Sequence, residues 1–214
     1  SAFQVNLNGV LGIYFPLSES FKPVQILSHM FMHADFWHLF FNMYAVYMFG
    51  QVLENVWGPK RFLIYYLITG LGAALIHESV IAIQYSKLMN VISPEQLQIV
   101  LNDGAAYWRE GKIFTDQVMQ DLQILLFTPA VGASGAVFGI LLAFGMLFPN
   151  SQLMLLFPPM PIKAKYLVIG YGAIELYLAF SQPGSNIAHF AHLGGMLFGF
   201  LLIRYWRKTT NTLY

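Results

Sequence analysis

One serine, a few histidines and an asparagine stand at spacings that could assemble a hydrolytic site. Ser134 lies in "VGASGAVFG", residues 131–139, boxed by Gly132, Gly135 and Gly139 at the head of an apolar run. His38 and Asn42 are four residues apart, so on a helix they share a face. His192 lies in "AHLGG" far along the chain. A serine hydroxyl is a poor nucleophile until a base takes its proton, and histidine has the ordinary pKa for that work near neutrality. Attack on a carbonyl builds an oxyanion, which needs aimed donors. The Asn42 amide, the His38 ring N–H and the Ser134 backbone N–H are the candidates. A helix starting at Ser134 would add its unpaired N–H groups and its dipole. Gly132 and Gly135 permit a tight turn beside the nucleophile. Phe138, four residues after Ser134, shares its face and could stack on the imidazole. No carboxylate is expected at the level of His192: Glu175 falls near the middle of its run and Asp35 at a helix start. The expected arrangement is therefore a Ser–His dyad.

These side chains need elements to hold them, and composition names the elements. The 214 residues are 57% hydrophobic and only 10% charged, with mean hydropathy +0.57. A soluble domain carries about 25% charged residues. The chain therefore reads as a polytopic, all-α membrane bundle forming one domain over residues 1–214. Five apolar runs approach the roughly 20 residues that cross a bilayer core: about 36–55, 62–83, 124–148, 165–181 and 186–204. Residues 1–35 form an outer region, with 1–28 an ordered surface loop. The polar stretch 84–121 is expected as helical pieces at or above the membrane surface, and "FPNSQLMLLFPPMPIKAK" as an interfacial, proline-rich connection.

Charge orients the bundle. Lys60, Arg61, Lys163, Lys165, Arg204, Arg207 and Lys208 fall on one face, and acidic residues outnumber basic ones on the other. The positive-inside rule makes the first face cytoplasmic. His38, Asn42 and Ser134 then occupy the outer parts of spans that enter from outside, and His192 lies about 9 Å into another such span at 1.5 Å per residue. Three distant segments thus bring polar groups to one level. The net charge of +1 argues against a nucleic-acid partner, and zero cysteines exclude disulfides and thiolate chemistry. The chain begins at Ser1 with no visible signal peptide.

Plainer readings apply to several of these residues. Gly135-x3-Gly139 and Gly195-x3-Gly199 match the small-residue pattern of close helix packing. His77 and His189 read as histidines bonded to carbonyl groups, and Glu175 as a helix–helix hydrogen bond or a cavity residue. His29-x3-His33 has metal-ligand spacing, but without cysteine or paired carboxylates the metal reading is weak.

Taken together, the motifs resemble those of the rhomboid intramembrane serine proteases. "HMFMHADFWHLFFNMYAVYMFG" is similar to that family's H-x4-H-x3-N signature, with His33, His38 and Asn42; "GASG" is similar to its G-x-S-G; "AHLGG" is similar to its A-H-x-x-G region; and "ENVWGPKRFLIYY" resembles its second-to-third-span connection. The resemblance covers about residues 24–206. It implies Ser134 as nucleophile and His192 as base in a water-filled cavity below the outer surface. It implies an oxyanion hole from His38, Asn42, the Ser134 backbone and neighbouring Gly132, with His33, Phe138 and Gly135 in support. It implies neither metal nor cofactor. The partners it implies are the lipid bilayer and membrane-protein substrates with a transmembrane helix. The location it implies is a bacterial cell membrane, with the site opening to the non-cytoplasmic side. The "SQPGSN" loop and the fourth run would be a mobile gate. The family core has six spans and five are found here, so the first is expected to be truncated or cleaved. The family often carries Tyr where Phe138 stands, and 84–121 is long for its position. Two alternatives stand beside a protease: an inactive rhomboid relative that binds or escorts membrane clients, and an ion or proton carrier using the histidines and Glu175. The apolar inner halves of the spans count against the carrier.

Overall fold

The computed structural model describes residues 6–154, 159–181 and 186–209. The centre of the "SQPGSN" loop and four residues of the proline-rich connection lie outside the described residues, so the gate expected there has no structural description. The chain folds as an all-α bundle with one small hairpin. It divides into two compact units, Ser1–Met32 with Glu78–Val131, and His33–His77 with Gly132–Tyr214.

In the first unit, Asn6 caps α1 (Leu7–Leu11) and α2 (Gln25–Ser28) runs into a turn of 3-10 helix at His29–Phe31. The stretch expected as a surface loop is tied inward. Ile13, Tyr14 and Phe15 are buried, and Ile13 exchanges both backbone hydrogen bonds with Ala130 at 2.9 and 2.8 Å. Buried Gln25 donates to Val10 O and Ser20 O and accepts from the Lys22 N–H. The polar stretch after residue 84 forms the end of α5 (Pro59–Met89), α6 (Pro94–Arg109) and α7 (Gln117–Phe127). Ser93 and Gln96 close a capping box on α6 with Pro94 in its first turn, and Asp116 caps α7. Buried Gln123 ties these pieces together, donating to Gly104 O and Lys112 O and accepting from the Phe114 N–H.

In the second unit, Asp35 caps α3 (Phe36–Ala45), which passes through a π-helical turn at Val46–Gly50 into α4 (Gln51–Trp57). Gly58, at φ 78°, ends α4, and Pro59 opens α5 at once. The apolar run expected within 124–148 is not one helix. Pro129 lacks an N–H and biases Thr128 to an extended backbone, so α7 stops at Phe127 and α8 (Ser134–Leu147) begins afresh. The strands β1 (Gln152–Met154) and β2 (Pro161–Lys163) pair antiparallel, with Leu153 opposite Ile162. Then come α9 (Ala164–Ser181) and α10 (Asn186–Thr209).

Helix α8 is the axis of this unit. A Cβ on Gly195 would collide with the Gly135 carbonyl, so α8 and α10 touch backbone to backbone. Gly139 faces Thr69 of α5, and Tyr65 Oη donates to Gly139 O at 2.8 Å. Leu53, Trp57, Tyr65, Ile140, Ala143, Leu147 and Ile203 form the core beneath. The small-residue reading of both glycine pairs is thus the packing that sets α8 against α5 and α10. By length and composition, α5 is the one helix among the described residues long and apolar enough to cross a bilayer; α8 is apolar but shorter.

Candidate active site

Every side chain of the candidate site belongs to the second unit. Ser134 is the first residue of α8. The preceding backbone reaches it through Gly132, whose φ of 134° is a conformation other residues rarely adopt. Ala133 occupies the capping position and has no side chain to bond the first turn. The N–H groups that begin α8 are therefore not taken by a side-chain cap, and the positive end of the helix opens at the serine.

His192 lies six residues into α10, about 9 Å from its start. The α8–α10 contact brings its Nε2 to 2.9 Å from Ser134 Oγ. Phe138, one turn below Ser134, stacks on the imidazole with centroids 4.3 Å apart and planes 8° from parallel. The edge of Tyr171 in turn meets Phe138. His192 is therefore held on one side by an aromatic face and at one nitrogen by the serine.

His38 comes from α3. A Cβ on Gly132 would sit 2.9–3.0 Å from the His38 Cε1 and Nε2 atoms and 3.6 Å from Ser134 Oγ, so the His38 ring edge and the hydroxyl flank one spot. His38 Nδ1 accepts from the Ala34 N–H at 3.3 Å, which leaves Nε2 as the protonated nitrogen facing that spot. His33 meets His38 edge-on, ring centroids 5.3 Å apart. Asn42 is buried on the same face of α3, but its Nδ2 donates to His38 O at 2.7 Å. Of the expected side-chain donors, His38 faces the serine and Asn42 is committed to its own helix.

Two readings of the sequence need correction. A carboxylate does lie at the level of His192: Glu175 Oε2 is 3.1 Å from His192 Nδ1 and 2.7 Å from His189 Nδ1. The His189 contact is an aligned hydrogen bond; the His192 contact has ion-pair distance without that alignment. His189 is accordingly paired with a carboxylate and not with a carbonyl. The error was one of depth. Glu175 is six residues before the end of α9, and His192 is six residues after the start of α10. The two helices run in opposite directions, so these counts bring the residues to one level.

Glu175, His189 and His192 also form a group of ligand type, with one atom from each within 4.8 Å of the others. At oxygen–nitrogen separations of 2.7 and 3.1 Å the carboxylate is hydrogen-bonded to His189 and at ion-pair distance from His192. In the first unit, His29 spends Nδ1 on Gln25 O at 2.9 Å. Burial holds its pKa below the ordinary histidine value, outweighing that bond.

Comparison with known proteins adds an independent line. The rhomboid domain family matches residues 20–209. Rhomboid protein 1, mitochondrial, of Saccharomyces cerevisiae is 26% identical over 195 residues, covering 89% of this chain and 44% of the yeast protein. Rhomboid protease AarA of Providencia stuartii is 26% identical over 176 residues, covering 81% of this chain and 52% of its own. The human presenilin-associated rhomboid-like protein, mitochondrial, is 25% identical over 195 residues, covering 89% and 39%. The chain spans about half the length of the curated relatives it matches. No solved structure matches it. The relatives' names join mitochondria and a bacterium, so they single out no bacterial membrane for this chain.

Proposed function

The chain belongs to the rhomboid family of integral membrane proteins, and from that premise we propose that it is a serine endopeptidase cleaving transmembrane or membrane-adjacent segments of other membrane proteins. The observation that carries the reading is the 2.9 Å contact between Ser134 Oγ and His192 Nε2 at the uncapped head of α8.

The steps follow from the geometry. His192 Nε2 takes the hydroxyl proton as Ser134 Oγ attacks the scissile carbonyl. The oxyanion forms beside the Ser134 N–H, the backbone at Gly132 and His38 Nε2–H, where the dipole of α8 also favours negative charge. His192 then returns the proton to the leaving amine, which departs and leaves an acyl group on Ser134. Water, deprotonated by His192, attacks that ester, and Ser134 recovers its proton as the carboxylate product leaves. The proposed roles of the remaining residues are support: Phe138 holds the plane of the base, Gly135 allows the α8–α10 approach, and His33 backs His38. Asn42 reaches the oxyanion only by exchanging its bond to His38 O for one to substrate.

The setting in the bilayer supports the same reading. Helix α8 has 14 residues, about 21 Å of rise against a hydrocarbon core of about 30 Å. A nucleophile at its head is recessed from the membrane surface, where a substrate helix must unwind to expose a peptide bond. The outward-facing orientation proposed from the basic residues opens this recess to the non-cytoplasmic side.

Cleavage of a fluorogenic transmembrane helix by the protein in proteoliposomes tests the proposal. Wild type is expected to cleave and Ser134→Ala to lose at least about 10³-fold in rate. Equal rates would overturn the assignment and leave a rhomboid relative that binds its clients without cutting them.

A further inference from the structure

Glu175 is an ionisable residue within a predominantly apolar helix, buried to 8% exposure. Such a group is expensive to hold inside a membrane protein unless other groups satisfy it. Its satisfied oxygen is Oε2, and both partners of that oxygen are imidazole nitrogens of α10: His189 Nδ1 at 2.7 Å and His192 Nδ1 at 3.1 Å.

The chemistry of a neutral imidazole gives this arrangement a consequence. The ring carries one N–H and one lone pair. To accept the Ser134 proton, His192 must keep its lone pair on Nε2 and its proton on Nδ1. In the other tautomer Nε2 presents a proton to Oγ and cannot act as base. Phe138 fixes the plane of the ring but is indifferent to which nitrogen carries the proton, because a stacked face meets both alike. An anionic oxygen 3.1 Å from Nδ1 is not indifferent: it favours the proton there, and it favours the imidazolium that forms during attack.

We propose that Glu175 is a positioning residue for His192, turning the Ser–His pair into a Ser134–His192–Glu175 relay, with His189 clamping the carboxylate in place. The inference rests on the protease reading and deepens it. The alignment of the parts fits these unequal roles. His189 makes the straight hydrogen bond that fixes Oε2, while His192 stays at ion-pair distance, free to tighten when it becomes charged. The other groups facing His192 are Ser134 and Phe138 of α8, and His38 of α3 across Gly132. None of these carries a negative charge, so Glu175 alone among them can stabilise the imidazolium.

Two measurements on the full chain in detergent or nanodiscs test this. The first is the rate of fluorophosphonate labelling of Ser134 from pH 5.5 to 9 in wild type, Glu175→Gln, Glu175→Asp and His189→Gln. Glu175→Gln is expected to slow labelling at neutral pH by about 10²-fold or more. It should also move the rise of rate with pH to lower pH, because His192 loses the anion that favours its charged form. Glu175→Asp should recover part of the rate, and His189→Gln should fall between wild type and Glu175→Gln. A merely structural Glu175 would not move the midpoint. Wild-type rate and midpoint in Glu175→Gln would overturn the inference. The second measurement is ¹⁵N NMR of His192 in Ser134→Ala protein, which reads the tautomer without catalysis. The Nδ1–H form is expected with Glu175 present and a shift toward Nε2–H in Glu175→Gln; an unchanged tautomer would overturn the inference. If wild-type Ser134 does not label at all, the protease reading fails, and the tautomer measurement still decides the role of Glu175.

Discussion

At the scale of single residues, the site is governed by what can stand next to what. Gly132 combines a φ of 134° with a position where any Cβ would press on the His38 ring. Gly132→Ala is therefore expected to cost about 1–3 kcal/mol through backbone strain and to displace His38 from the serine. The prediction is a lower unfolding temperature together with a loss of labelling beyond that of equally destabilised controls. Phe138 makes a separable case. Phe138→Tyr keeps the ring that stacks on His192 and should label within a few-fold of wild type, whereas Phe138→Ala removes the stack and should slow labelling by about tenfold or more. The meeting of Ser134 and His192 was legible because each glycine pair signalled close packing, and one member of each, Gly135 and Gly195, lies where α8 and α10 touch. Glu175 was missed as a partner of His192, although the expected runs 165–181 and 186–204 stop and start where α9 ends and α10 begins. It was placed by the middle of its own run and not by its distance from the connection it shares with His192.

At the scale of elements, close approach by glycine is the organising device. Gly195 lies against the Gly135 carbonyl, so Gly195→Ala must part α8 from α10. Overpacking of this kind typically costs about 1–3 kcal/mol, and here it also lengthens the 2.9 Å contact between Ser134 and His192. Thermal unfolding should fall and labelling should fall with it; an unshifted transition would mean that the two helices do not pack this way in solution. In the first unit, His29 ties a 3-10 turn to α2 through a buried bond to Gln25 O. Its folded pKa lies below the ordinary value, so the unfolded chain takes up a proton that the folded one refuses. Its contribution is full above about pH 6.5 and is lost as pH falls below that value. Melting temperatures between pH 7.5 and 5 should fall in wild type and fall less in His29→Gln. The apolar run 62–83 marked α5, which runs on to Met89, and the helical pieces expected in 84–121 correspond to the end of α5, α6 and the start of α7. The interruption at 128–133 was half legible: a helix starting at Ser134 is among the readings of the sequence, but the apolar run hid that a separate helix, α7, would end before Pro129. The π-helical turn at Val46–Gly50 has no evident signal in the sequence.

For the molecule as a whole, the ring contacts of the second unit gather basic residues with aromatic ones. Arg61 lies over Trp206, which also meets Trp57 and Tyr65. An Arg and Trp cluster of this kind suits the cytoplasmic headgroup level, consistent with the proposed orientation. The chain has no cysteine, so single introduced cysteines map topology without background. Lys60→Cys should react with an impermeant maleimide only from the cytoplasmic side and Asp103→Cys only from the opposite one; reversed reactivity would invert the orientation. All-α bundle architecture followed from composition and the lengths of the apolar runs. What composition could not show is that residues 6–28 are pinned by buried Gln25 and by Ile13 against Ala130, since the Ile13 bonds join segments more than a hundred residues apart and Gln25 is a polar residue whose burial hydropathy does not mark. The central claim for the molecule is that Ser134 is a nucleophile activated by His192. The most direct measurement is mass spectrometry of the intact folded protein after reaction with a fluorophosphonate. The account predicts one adduct on Ser134 in wild type, none in Ser134→Ala and almost none in His192→Ala. A wild-type protein that stays unmodified, or a His192→Ala protein labelled as fast as wild type, would contradict it.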